Sequence, residues 1–179
     1  MDREAPPSDI LYWFADGAHI PRAFLLEWAH DVLRDNKLKE PGGLVLDGVP
    51  LDLSKIEAPL TMISLKDDHV SAWEATYDGA RLWGGPATFM LGGSGHNAGV
   101  INPPSANKHG YWTNEAGTLP ETAEAWLEGA ERREGSWWPW WQARLSEGGK
   151  AQKVKARVPG EGKLKAIEPA PGSYVKNRC

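Results

Sequence analysis

His96 lies in LGGSGHNAGV (91–100), among glycines that follow an apolar run; Asp67 and Asp68 lie in KDDHVSAW (66–73), after another such run. A histidine beside a carboxylate is the pattern of a general base. The carboxylate fixes one ring nitrogen as N–H, and the other then takes a proton from a nucleophile. Asp67 and Asp68 both qualify as the partner on spacing. The same residues also suit plainer work: Asp67, Asp68 and Ser71 are good caps for a helix over 71–82, and a histidine among glycines fits a tight loop.

The nucleophile that such a pair would serve is missing. An elbow of the form G-x-S/C-x-G between a strand and a helix occurs nowhere. Ser94 in GGSGH is the nearest substitute, but its fifth position is His96 rather than glycine, and it follows the wrong strand. Cys179 is the last residue and has no strand-turn-helix around it. The remaining histidines, His19, His30, His69 and His109, lack metal-ligand spacing, which speaks against zinc. His69 suits a helix-start hydrogen bond better than a catalytic role. No cofactor motif is found.

These loops need strands beneath them. Residues 59–65 (PLTMISL) and 87–91 (ATFML) are near-continuous apolar runs, as expected of strands buried on both faces. The helix predicted over 71–82 lies between them, so the three form a βαβ unit with parallel, adjacent strands. Functional groups collect on loops at the carboxyl ends of such strands, where Asp67, Asp68 and His96 fall.

Upstream, residues 22–40 carry Phe24, Leu25, Trp28, Val32 and Leu33 at helical spacing, and Pro41-Gly42-Gly43 ends the helix. Asp47-Gly48 inside GLVLDGVPLDL (43–53) is a hairpin turn signal. Two further helices are predicted over 121–131 and 137–147. In the second, Trp137, Trp140 and Trp141 share a face, Ser136 can cap, and Pro139 falls in the first turn. That stripe suits packing within the domain; a partner-binding face is the other reading. From 148 to 165 the chain is basic and reads as a connector, and IEPAPGSYVKNRC reads as an extended strap.

The 179 residues suffice for one domain with a core, and 41% hydrophobic with 25% charged is ordinary for a folded chain. A net charge of −4 argues against a general nucleic-acid surface. No apolar run approaches a membrane span, and the acidic, proline-containing start is unlike a signal peptide. A lone cysteine allows no internal disulfide and fits a reducing, cytoplasmic setting.

Several motifs together resemble the polyhydroxyalkanoate synthases, in particular the class I enzymes. They are LYW (11–13), DNKL (35–38), PGGL (41–44), DLS (52–54), DDH (67–69), GGSGH (92–96), AGVINPP (98–104), YWTN (111–114), GSWWP (135–139) and IEPAPG (167–172). The likeness runs from about residue 9 to about residue 176. It implies an α/β fold, the C-terminal part of an α/β-hydrolase without its first strands and nucleophile elbow. Residues 1–43 would be a cap remnant, 44–147 the catalytic portion, and 148–179 a basic linker with a strap. It further implies a Cys-Asp-His triad whose aspartate falls on Asp68 and whose histidine falls on His96, 28 residues on. The implied reaction joins (R)-3-hydroxyacyl units from coenzyme A thioesters into polyester, with the growing chain held on the cysteine and the aspartate activating the 3-hydroxyl. Lacking the cysteine, this chain alone would be inactive. Implied partners are the acyl-CoA, the polyester granule in the cytoplasm and a second synthase subunit in a homodimer. Where the family has Trp-Asn, this chain has Trp13-Phe14, which changes any contact the asparagine makes.

Overall fold

The computed structural model describes residues 8–115, 117–147 and 154–176, in two compact units. Cys179 and residues 148–153 of the basic connector fall outside the described residues. The first unit comprises residues 1–29 and 152–179. Its helices are α1 (Asp9–Ala15), capped by Ser8 Oγ accepting from the Leu11 N–H, and α2 (Arg22–Glu27). Ile10, Trp13, Phe14 and Phe24 are exposed on them. The single helix predicted over 22–40 is instead α2, a π-helical stretch Trp28–Arg34 and a 3-10 turn Lys37–Lys39. Val154, Leu164, Ile167 and Tyr174 in the C-terminal segment are also exposed.

The second unit, residues 30–151, holds the sheet. A two-stranded hairpin pairs β1 (Val45–Leu46) with β2 (Val49–Pro50). Asp47 and Gly48 both have positive φ, +48° and +76°, as a turn between twisted strands requires. The main sheet is built from β3 (Leu60–Leu65), β4 (Ala87–Gly92), β5 (Tyr111–Thr113) and β6 (Glu131–Arg133), in that spatial order. β3 and β4 run parallel, from Leu60 opposite Ala87 to Leu65 opposite Gly92, with α3 (Trp73–Arg81) crossing between them. That is the expected βαβ unit. β5 and β6 then add antiparallel, which makes the sheet mixed rather than all parallel. The helix predicted over 121–131 stops early: α4 is Ala123–Glu128, capped by Thr122 Oγ1, and Glu131–Arg133 is a strand. Gly129 ends the helix, and pairing with β5 overrides the helical preference of Glu-Arg-Arg.

Alternation along the strands gives each face its own layer. Phe89 and Leu91 face α3 and α4, packing with Trp73, Tyr77, Ala80 and Trp126. Phe89 meets Tyr77 and Trp126 edge to face, at centroid distances of 5.1 and 5.0 Å, each pair adding about 0.5–1.5 kcal/mol beyond area burial. Met90 and Tyr111 face the other way, onto Trp137, Trp140 and Trp141 around α5 (Trp138–Glu147). The tryptophan stripe is therefore core packing. Arg144 ties α5 to β4 by donating to Thr88 Oγ1 at 2.8 Å.

Candidate active site

The carboxyl ends of β3 and β4 are laced together beyond the strands. Lys66 N–H donates to Gly92 O at 2.8 Å, and Asp67 N–H to Ser94 O at 3.1 Å. These bonds carry the two loops side by side for two more residues. Asp68 then reaches His96: Oδ2 lies 2.8 Å from Nδ1. Spacing left Asp67 and Asp68 open, and the structure pairs Asp68. Asp67 is exposed and contributes its backbone N–H.

The second oxygen of Asp68 is also committed. Oδ1 accepts from the N–H groups of Val70 and Ser71, at 2.8 and 2.9 Å. One carboxylate thus organises the turn into α3 and holds the histidine, so the capping and pairing readings are both met by the same residue. Ala72 at the start of α3 has no side-chain cap, and His69 is exposed; the hydrogen bonds expected of His69 go to Asp68. The Ser71 N–H, the His96 ring and the Val70 N–H outweigh desolvation and hold the Asp68 carboxyl down from 3.8 to about 2. At neutral pH it is a carboxylate and can only accept, so the shared proton sits on Nδ1 of His96. Nε2 then carries a lone pair and meets no hydrogen-bonding group among the described residues. The Asp68 side chain is 7% exposed and that of His96 47%. A buried acid thus holds an accessible base.

The loop geometry demands small residues. A Cβ on Gly93 would lie 2.2 Å from the His109 carbonyl oxygen, and one on Gly99 2.4 Å from that of Gly93. Ser94, between two glycines, adopts φ +74° and turns its carbonyl to Asp67. Asn102, fully buried, braces the far end: Oδ1 accepts from Lys108 N–H at 2.9 Å, and Nδ2 donates to the Lys108 and Gly135 carbonyls. Ser136 donates its hydroxyl to the Asn102 carbonyl and its N–H to Asn107 Oδ1. Sequence reasoning missed Asn102 and read Ser136 only as a helix cap; the cap forms, with Ser136 Oγ accepting from the Trp138 N–H at 3.2 Å, and the bond to Asn102 is additional. Among the described residues no three metal-ligating side chains come together, and no helix is long and apolar enough to cross a membrane.

No protein-family model matches the chain. Curated relatives do, three polymerases among them. The poly(3-hydroxyalkanoate) polymerase subunit PhaC of Cupriavidus necator is 42% identical over 173 residues, 97% of this chain and 29% of that protein. The polymerase subunit of the same name from Rhizobium etli is 38% identical over 176 residues, and poly(3-hydroxyalkanoate) polymerase 2 of Ectopseudomonas oleovorans 36% over 178. They are matched over 98% and 99% of this chain, and over 27% and 31% of their own lengths. The chain thus spans less than a third of each of these relatives. The chain belongs to the poly(3-hydroxyalkanoate) polymerase family, as a C-terminal portion of it.

Proposed function

We propose that this chain supplies the acid and base of a polyhydroxyalkanoate synthase that polymerises (R)-3-hydroxyacyl-CoA with release of coenzyme A. The carrying observation is the 2.8 Å bond between Asp68 and Nδ1 of His96, with Nε2 unpaired among the described residues and the His96 side chain 47% exposed. Nε2 takes the proton of a cysteine thiol supplied from outside these residues. The thiolate attacks the acyl-CoA carbonyl, and the coenzyme A sulfur leaves with the proton that His96 returns. In the second half-reaction a 3-hydroxyl attacks the thioester after losing its proton within the same pair, and the ester bond forms as the cysteine sulfur leaves. Asp68 holds the imidazole through both steps.

On this reading residues 1–43 are cap, 44–147 the end of an α/β-hydrolase catalytic domain and 148–179 a linker with a strap. β3 lies at one edge of its sheet, which leaves a ladder free for the strands that would carry the elbow. The whole enzyme would act as a homodimer on the cytoplasmic granule. The alternative, a non-catalytic module that binds granule or subunit through the tryptophan-rich segment, has less surface to use, because Trp137 and Trp140 are buried.

A chimera tests the proposal. The segment of the Cupriavidus necator polymerase matched by this chain is replaced with this chain, and CoA release from 3-hydroxybutyryl-CoA is followed. The chimera is expected to turn over and the isolated chain to release none. Turnover by the isolated chain that Ser94→Ala or removal of Cys179 abolishes would overturn it, since the nucleophile would then lie within these residues.

A further inference from the structure

His96 sits in a short turn closed by its own backbone. Gly99 N–H donates to Gly95 O at 3.1 Å and Ile101 N–H to Asn97 O at 3.0 Å. A turn this short is not stable alone, and its last carbonyls need donors from elsewhere. Three consecutive residues at the start of α5 provide them. Trp137 Nε1–H donates to the Gly99 carbonyl at 3.0 Å. Trp138 Nε1–H donates to the Val100 carbonyl at 3.0 Å, beside the Asn102 N–H that reaches the same oxygen. Ser136 Oγ–H donates to the Asn102 carbonyl. No backbone N–H of the described residues serves the Gly99 carbonyl, so Trp137 alone satisfies it there.

The two indoles are also set against each other, edge to face at 6.4 Å, which fixes the direction of both N–H groups. Trp137 is buried, and Trp138 is 38% exposed, too open to be there for burial alone. Trp126 makes the contrast. It is fully buried on the opposite face of the sheet, and its Nε1 has no partner among the described residues. A tryptophan can serve this core without its N–H, yet at 137 and 138 both N–H groups are directed at the histidine loop.

We infer that Trp137 and Trp138 are positioning residues, which clamp the turn carrying His96 through their indole N–H groups and so hold its ring in register with Asp68. The inference rests on the pairing of Asp68 with His96. It gives Ser-Trp-Trp at the head of α5 a role beyond packing, and ties the orientation of the base to the seating of a helix from the far end of the chain.

The ring 15N shifts of His96 in the full chain at pH 8 report which nitrogen carries the proton. The wild type is expected to hold Nδ1–H with Nε2 bare. Trp138→Phe and Trp137→Phe keep an aromatic ring and remove the N–H. Each is expected to lower the Nδ1–H to Nε2–H ratio about tenfold, the scale of losing one hydrogen bond, and to speed amide exchange at Gly99 and Ile101 by a similar factor. Amides of Phe89 and Leu91 should stay protected. Trp126→Phe is the control: it lowers the melting temperature but leaves the His96 ratio unchanged. The clamp is overturned if both phenylalanine variants keep the wild-type ratio, or if the ratio falls with melting temperature in all three. Because Trp138 is part-exposed, its variant tests the idea even where Trp137→Phe fails to fold. Asp68→Asn separates the underlying pairing: a ratio that Asp68→Asn leaves unchanged overturns the pair itself, upstream of any clamp.

Discussion

The two faces of the main sheet are both aromatic, and they do different work. On one, Phe89, Tyr77, Trp73 and Trp126 pack ring against ring beneath α3 and α4, and only the Tyr77 hydroxyl reaches out, donating to the Pro120 carbonyl at 2.7 Å. On the other, Trp137 and Trp140 fill the space under α5, while the polar atoms of Ser136, Trp137 and Trp138 reach the loop that bears His96. The first face sets how stable the sheet is. The second sets where one loop sits. Residue type alone does not separate these roles; what each indole N–H reaches does.

That comparison can be broken at four places. Phe89→Ala should have the largest effect, about 3–5 kcal/mol of stability from burial and cavity terms, read as a fall in denaturation midpoint. Protection of the His96 loop should fall only in step with that global loss. Gly99→Ala should cost about 1–3 kcal/mol through overpacking, because its Cβ would meet the Gly93 carbonyl oxygen and the Leu65 side chain at 2.4 and 2.5 Å. Its signature is local: faster amide exchange at 95–101 while β3 and β4 keep theirs. A global loss without that local signature would erase the distinction between the faces.

Asp68→Asn is the third, and its effect depends on pH. The folded carboxyl titrates at about 2, below its ordinary 3.8, so the wild-type carboxylate contributes stability that is fully present above pH 3.8. That contribution is lost as pH falls through about 2. The wild type should lose stability across this window more steeply than Asp68→Asn, in acid melts of the two. Equal slopes would mean that Asp68 gains nothing from its partners. The smallest effect belongs to Ser136→Ala, about 1 kcal/mol, since it removes the donor to the Asn102 carbonyl and the acceptor of the Trp138 N–H but neither indole N–H nor its acceptor. It is measured as a shift in melting temperature.

Much of the centre of this fold was legible in the residues. The apolar runs 59–65 and 87–91 locate β3 and β4 to within a residue at either end, and a helix between them leaves a parallel pair as the economical topology. Parallel neighbours put Asp68 near His96, and Asp47-Gly48 announces its own turn. β5 and β6 were not legible. Three residues are too few to show a period of two, and Glu-Arg-Arg becomes a strand only because Tyr111–Thr113 offers it a ladder. The face of α5 could be read from its spacing, but not the direction of its indoles. Trp137 and Gly99 are 38 residues apart and meet only through the sheet between them. The apolar stripe over 22–40 was legible from its helical spacing, yet Phe24, Leu25, Trp28 and Leu33 are exposed, because periodicity shows that a face is apolar and not what covers it.

On the proposed function, His96, held by Asp68, is the base of a thiol-dependent acyl transfer. The most direct test is CoA release by the Cupriavidus necator chimera with His96→Ala, under saturating 3-hydroxybutyryl-CoA. Loss of a general base should lower turnover by about 10²–10⁴-fold while the protein keeps its melting temperature. Turnover within a few-fold of the parent chimera would contradict the claim and remove His96 from the chemistry.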